Sequence, residues 1–294
     1  MPKDILDIYT DYLICQNQQA TAIGLANLLD SELSHDQITR FLNKNEYSSK
    51  DLWKYVKADV RKHEQKTGGV LIIDDAIEEK PYTDENEIVS WHFSHAKGRC
   101  VKGINILSGL IRYGDLALPI GYEVIKKDLH FCDIKTKKEQ RQSSMTKNQH
   151  LRALVAQAIE NGVLFDYVLA DNWFDAKDNM EFIHYDLKKF FVFGIKANRL
   201  IALSEEDRKK GRYQNLNTLD FKGGQKRVVW LKDLAFPVAL ITKIFKNEDG
   251  SAGVLHIVTN DLDSDADRIY EVYQKRWRIE EYHKSIKQNT SLEK

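Results

Sequence analysis

Between residues 68 and 197 the spacing of apolar side chains alternates between strand and helix periods, and this order constrains the fold more than any other feature. Residues 70–73 form an unbroken apolar run closed by Asp74 and Asp75, the pattern of a buried central strand. Apolar stretches over 101–112 and 116–125 flank Tyr113-Gly114-Asp115, a hairpin signal in which Pro119 demands an edge or a bulge. An amphipathic stretch over 146–161 then puts Leu151, Leu154, Val155, Ala158 and Ile159 on one helical face. A strand over 163–171, a helix over 175–188 and a strand over 190–197 follow. Three strands, then helix, strand, helix, strand, predict an α/β fold: a mixed sheet with helices packed on it.

The flanks have other textures. Residues 1–66 read as helices, with Ile5, Leu6, Ile8, Tyr9, Tyr12 and Leu13 at helical spacing and a second periodic stretch over 21–29. Ser34 is placed to cap a further helix carrying Gln37, Thr39 and Arg40 in its first turns. Helix, break, helix in this arrangement resembles a helix-turn-helix that reads DNA; a plain helical bundle has the same periodicity. Residues 198–262 carry β-type runs and the turn Asn247-Glu248-Asp249-Gly250, which predicts a β-rich insertion. A helical stretch over 263–294 closes the chain. The expected organisation is therefore 1–66, 67–197, 198–262 and 263–294.

The 44 basic and 44 acidic residues cancel, which does not advertise a polyanion binder, but they are segregated. Residues 195–232 hold ten Lys and Arg against four acids, and 268–294 hold seven against four. A further basic run spans 135–141. One such run is an ordinary solvated loop; several together suit a polyanionic partner. No run of eighteen apolar residues is present, so no membrane-spanning helix is expected. Cys15, Cys100 and Cys132 form no paired motif, which predicts a reducing, cytoplasmic setting. Phosphate-cradling glycine loops are absent, so ATP use is not expected.

The chemistry resides in acids. Asp74 or Asp75 closes the first strand of the sheet and Asp171 closes a later one. Carboxylates at the rim of a sheet can hold Mg²⁺ or Mn²⁺, and a pair of such ions about 4 Å apart serves phosphodiester chemistry. Each Asp alone reads equally as a turn or cap residue. The last helical stretch supplies a third acid, Glu280, in the spacing Tyr273, Arg276, Glu280, Lys287. At about 100° per residue these four fall within about 60° of one another, a narrow polar stripe beside the apolar seam of Val272, Ile279 and Ile286. A salt-bridged helix face is the alternative, since Arg276 and Glu280 are four apart. His92 and His95 have metal-pair spacing without an obvious third ligand, and Trp173 suits either the core or a stacking surface near Asp171.

The segments IIDDAIEEK (72–80), VLADNWFD (168–175) and YQKRWRIEEYHKSIK (273–287) resemble a bacterial insertion-sequence transposase of the DDE class, in the insertion-sequence-4 group marked by a Y-R-E-K signature. The resemblance covers nearly the whole chain. It implies a ribonuclease-H-like fold with a β insertion before the final catalytic helix. It further implies two Mg²⁺ or Mn²⁺ ions, cleavage at the terminal inverted repeats, strand transfer into target DNA, and a homodimer on DNA in the bacterial cytoplasm at the nucleoid, away from any membrane. Asp74, Asp171 and Glu280 would be the catalytic and metal-binding triad, with Tyr273, Arg276 and Lys287 as signature contacts to DNA and Lys284 and Arg278 beside them. The family's first acid usually precedes a Thr or Ser by two places; neither Asp74 nor Asp75 does, so Asp75 stays the alternative to Asp74. Family members also continue well past the glutamate helix, whereas this chain ends fourteen residues after Glu280. A truncated copy that binds DNA without cutting is therefore a second expectation, and a nuclease that cuts without joining a third.

Overall fold

The computed structural model describes residues 4–16, 19–94, 97–135, 137–219, 223–246 and 250–290. It opens with α1 (Ile5–Cys15), α2 (Ala22–Leu28), α3 (His35–Lys44) and α4 (Ser49–His63). Ser34 caps α3 as its sequence predicts: its Oγ accepts from the Gln37 amide at 3.3 Å, and Gln37 Oε1 accepts from the Ser34 amide at 2.8 Å. Tyr12, Leu25, Ala26 and Ile38 give α1–α3 a small core of their own. By contrast, α4 contributes Trp53 and Val60 to the main core, and Arg61 donates to the carbonyls of Asn161 at 2.6 Å and Gly162 at 2.8 Å.

The sheet is built around β1 (Val70–Glu79). It pairs antiparallel with β3 (Arg99–Tyr113) on one side. On the other side it pairs in parallel with β7 (Tyr167–Ala170). Beyond these lie β4 (Leu116–Val124), antiparallel to β3, and β8 (Phe190–Gly194), parallel to β7. The register between β3 and β4 slips at Gly109/Leu110, near Pro119, as that proline demands. A short strand, β2 (Ser90–Ser94), joins the far end of β3, and β5 (Leu129–Cys132) and β6 (Glu139–Gln142) form a separate hairpin.

Both faces of β1 are covered, which is why its apolar run is continuous rather than alternating. Leu71 and Ile73 face one core with Leu107, Ile111, and Leu151 and Val155 of α5 (Lys147–Glu160). Val70 and Ile72 face the other, with Ile269 and Val272 of α8 (Ala266–Gln274) and Ile279 of α9 (Trp277–Asn289). Between β7 and β8 the expected helix is shorter and changes its register, running as α6 (Lys177–Glu181) into a π turn over Phe182–Asp186.

Three expectations change in detail. First, β1 does not stop at the acids: β3 pairs with it as far as Glu79, so Asp74 and Asp75 are mid-strand. Second, residues 198–262, expected as a β-rich insertion, add their strands to the same sheet. They form β9 (Leu200–Ala202), α7 (Glu205–Lys209), β10 (Gln214–Asn215), β11 (Lys226–Leu231), β12 (Val238–Lys246) and β13 (Ala252–Thr259). Strand β13 pairs antiparallel with β8, covering an edge that would otherwise leave Phe191 and Phe193 beside unpaired backbone. Among the described residues the result is an eleven-stranded sheet. The β12–β13 hairpin is present, while its turn at 247–249 lies outside the described residues. Third, the closing helix breaks at Lys275 and Arg276, where the amides of residues 275, 276, 278 and 279 bond three residues back instead of four. Among the described residues no helix is long and apolar enough to cross a membrane.

Candidate active site

The parallel register Val70↔Tyr167, Leu71↔Val168, Ile72↔Leu169 ends as β7 ends at Ala170. Continued by two residues, it sets Asp171 alongside Asp74, at the point where the flank of β1 opens. A cleft of about 620 Å³ begins there, lined by Asp74, Asp75, Asp171, Trp173, Glu280 and His283, with Lys97, Lys147, Lys284 and Lys287 around it. The sequence-predicted acids from β1, the end of β7 and α9 thus share one cavity.

Strand alternation separates the two adjacent acids. Asp74 has the parity of Val70 and Ile72 and faces the α8–α9 side, where Arg276 Nη1 donates to its Oδ2 at 2.9 Å. Asp75 turns to the α5 side, where its Oδ2 accepts from Lys147 Nζ at 2.6 Å and from Asn105 Nδ2 at 2.9 Å. Arg276 also donates through Nη2 to Glu280 Oε1 at 2.9 Å, so one guanidinium joins Asp74 and Glu280. Asp171 Oδ1 accepts from the Trp173 amide at 2.9 Å, closing a short turn. Burial pushes the Asp74 carboxyl up to about 7, and the neighbouring Asp171 charge adds to this against the pull of Arg276. Burial also raises the Asp171 pKa.

Two half-buried carboxyls that resist ionising, with a third at the rim, form an oxygen donor set suited to Mg²⁺ or Mn²⁺. Among the described residues, no three carboxylates or imidazoles already stand close enough together to hold an ion. Arg276 holds two of the three acids, so a guanidinium occupies the place of positive charge. In donor chemistry the residues fit a divalent metal.

The other predicted residues distribute unevenly. Lys284 and Lys287 line the cleft, and Lys287 Nζ donates to the Ile77 carbonyl at 2.8 Å, tying α9 to β1. Tyr273 is buried at 9% exposure, packed in the core beneath Arg276, whose guanidinium lies 5.8 Å from its ring. Arg278 pairs with Glu281 at 2.7 Å and does not line the cleft. His92 is buried against Ser90 Oγ at 3.0 Å; His95 lies outside the described residues. In the helical N-terminus, the Gln37 side chain is used in the α3 cap and Arg40 Nε donates to the Asp36 carbonyl at 3.2 Å.

Sequence reasoning missed several contributors. His283, one turn beyond Glu280 on the same stripe, was recoverable from spacing. Burial holds its pKa down to about 4, so its imidazole is neutral. Lys147 and Asn105 carried no local signal, because their partner Asp75 is 72 and 30 residues away. Gly194 is required by close approach: a Cβ there would stand 2.9 Å from the Tyr273 hydroxyl and 3.0 Å from the Asn172 amide nitrogen.

A sheet of order β4–β3–β1–β7–β8, antiparallel at one side and parallel at the other, is a ribonuclease-H-like fold. With acids on the central strand, on its parallel neighbour and on the covering helix, it defines a class of nucleases and transferases acting on phosphodiesters. Sequence comparison agrees with the geometry. The family described as "DDE superfamily endonuclease" matches residues 2–214, and that described as "Transposase DDE domain" matches residues 136–294. The chain belongs to the DDE superfamily of transposases and endonucleases. Membership implies DNA as substrate and divalent-metal chemistry. No curated protein matches the sequence.

Proposed function

We propose that the chain is a DNA transposase of the insertion-sequence-4 type, which cuts at the ends of its element and joins the freed 3′-hydroxyl to target DNA. The observation that carries this reading is the convergence of Asp74, Asp171 and Glu280 on one cleft with Arg276 between two of them. Asp74, Asp171 and Glu280 would hold two divalent ions. Such ions supply the Lewis acidity that activates an attacking oxygen and stabilises the leaving one. Asp75 then serves as the anchor of Lys147 rather than as a ligand. Lys284 and Lys287 stand at the rim to receive backbone phosphates, and Arg276 sets the carboxylates of Asp74 and Glu280 relative to each other. Tyr273 supports Arg276 from below. The protein acts as a homodimer on paired element ends in this reading, with α1–α3 contributing end recognition and the cavity between β1 and α9 the chemistry.

The test is cleavage of a labelled duplex carrying the element's terminal repeat, with Mg²⁺ or Mn²⁺ and with EDTA. Metal-dependent nicking that disappears in Glu280→Gln supports the reading; unchanged nicking in that variant overturns it. Products joined to a target plasmid separate a transposase from a nuclease that only cuts. A second reading, binding without cleavage, draws on the same Arg276 bridge, since it holds two of the three acids. Repeat-specific binding with no cut under either metal selects it.

A further inference from the structure

Strands β5 and β6 stand apart from the eleven-stranded sheet as a hairpin of their own. Every residue of β5 and all but Arg141 of β6 are exposed, and Ile134 just beyond β5 is 92% exposed. A two-stranded ribbon with neither face packed is marginal in water, so the surface of another molecule is needed to hold it. Its charge indicates the partner. Residues 126–141 carry six Lys and Arg against three acids. The acids are engaged locally: Asp128 Oδ1 accepts from the Ser144 amide at 2.8 Å, Asp133 Oδ1 accepts from the Lys135 amide at 2.8 Å, and Glu139 lies 3.4 Å from His130 Nε2. Among the described residues, Lys135, Lys137, Lys138 and Arg141 form no ion pair. Lys137 keeps its ammonium there at a backbone φ of 55°, a conformation that glycine adopts freely and a side chain does not. The root of the hairpin is fastened to two elements that bound the acid cleft. On one side the Lys127 ammonium donates at 2.5 Å to the carbonyl of Trp91 in β2, whose Phe93 and Ser94 line that cleft. On the other, α5 begins five residues after β6 with Lys147, which lines the same cleft and pairs with Asp75.

Resting on the DNA reading above, we propose that the β5–β6 hairpin is an arm that lies along duplex DNA next to the scissile phosphate. Lys135, Lys137 and Lys138 at its tip, with Arg141 behind them, hold backbone phosphates of that duplex. A two-stranded β-ribbon has the width that a major groove admits, which favours a duplex over an unpaired strand. A second copy of the chain fits less well, because a two-fold contact would bring two ribbons of the same positive charge together. Phosphate contacts carry no sequence information, so the arm tightens the grip on any duplex entering the cleft and leaves repeat recognition to other parts of the chain.

The test uses the full chain in EDTA, which removes cleavage from the readout, and follows the anisotropy of labelled terminal-repeat and unrelated duplexes over a salt series. Combining Lys135→Gln, Lys137→Gly and Lys138→Gln removes three charges, and glycine suits the backbone at 137, so the hairpin keeps its shape. The slope of log affinity against log salt is expected to become shallower by about 2.7, or about 0.9 for each lost phosphate contact, equally on both duplexes. Lys209→Gln with Lys210→Gln is the charge control: these lysines pair with Glu205 and Glu206 on α7, and their loss should leave the slope unchanged. Exposed Cys132 on β5 reports the arm's position. With Cys15→Ser and Cys100→Ser in place, it should cross-link to duplexes carrying a disulfide tether within about one helical turn of the cleavage site and not farther away. The arm is overturned if the triple variant keeps the wild-type slope, if the control loses as much, or if Cys132 cross-links only far from the cut. A triple variant that loses a dimer in sedimentation without DNA, with its slope unchanged, overturns it in favour of a contact between copies. A wild type that binds neither duplex overturns the DNA reading as well.

Discussion

Replacing Asp74 with Asn is expected to stabilise the metal-free protein, and the sign follows from the site's electrostatics. The carboxyl is pushed from an ordinary 3.8 up to about 7, by burial first and by Asp171 second. The folded state then binds this proton more tightly than the unfolded chain. Stability therefore falls as pH rises from about 4 and is lowest, as far as this group is concerned, above about 7. A difference of about 3 units at about 1.4 kcal/mol each sets an upper bound of about 4 kcal/mol near pH 8. Local relaxation and the partial exposure of the side chain bring a working figure to about 2 kcal/mol. Asn matches the protonated carboxyl in shape and keeps an oxygen for Arg276 Nη1. At roughly 2–4 °C per kcal/mol for a chain of this size, thermal melts in EDTA near pH 8 should place the variant about 4–8 °C above the wild type. The gap should close below about pH 4, where the wild-type carboxyl is protonated in both states. A variant that melts at or below the wild type near pH 8, or a gap that does not change with pH, refutes the reasoning and means that the Arg276 ion pair outweighs the cost of burying the charge. Cleavage by the variant should be lost at every pH.

The same geometry sets other outcomes. Gly194→Ala forces a methyl against the Tyr273 hydroxyl and the Asn172 amide nitrogen and should cost about 1–3 kcal/mol, read as a lowered melting temperature; an unchanged melt would show that the Asp171 turn is not tightly packed. Lys287→Met removes the donor to the Ile77 carbonyl and one of two ammonium groups beside Glu78, 2% exposed, leaving Lys80 Nζ at 3.6 Å, and should destabilise by about 1 kcal/mol in denaturant titration. Adding Glu78→Gln to it should recover part of that loss, and strict additivity of the two would refute the coupling. Thr146→Ala removes the acceptor for the Gln149 amide at the start of α5 and should cost about 1 kcal/mol by the same titration.

What could be read in advance was whatever a short window of sequence contains. The central strand was legible because burial on both faces makes an unbroken apolar run, and α5 was legible because Leu151, Leu154, Val155 and Ala158 recur on one helical face and are buried there. The end of β1 was misplaced for the opposite reason. Charges after an apolar run look like a terminus, yet Asp74, Asp75 and the Ile77 carbonyl find their partners 202, 72 and 210 residues away, and β3 carries the pairing through to Glu79. The attachment of the insertion was hidden likewise, since β13 meets β8 across the whole of residues 198–251. The break in the closing helix has no Gly or Pro to announce it. Its consequence for the site is geometric. The break makes α8 and α9 separate helices, so the angles of one continuous helix no longer relate Tyr273 on α8 to Glu280 and Lys287 on α9. Tyr273 then packs in the core on the α8 side, while Glu280, His283, Lys284 and Lys287 stay together on the cleft. Arg276 is the residue at the break, and from there its two Nη atoms reach the β1 acid and the α9 acid at equal distance. The four-residue spacing therefore marks the helix correctly but not as one stripe: it marks a buried support, a hinge-placed cation and a cleft-facing pair.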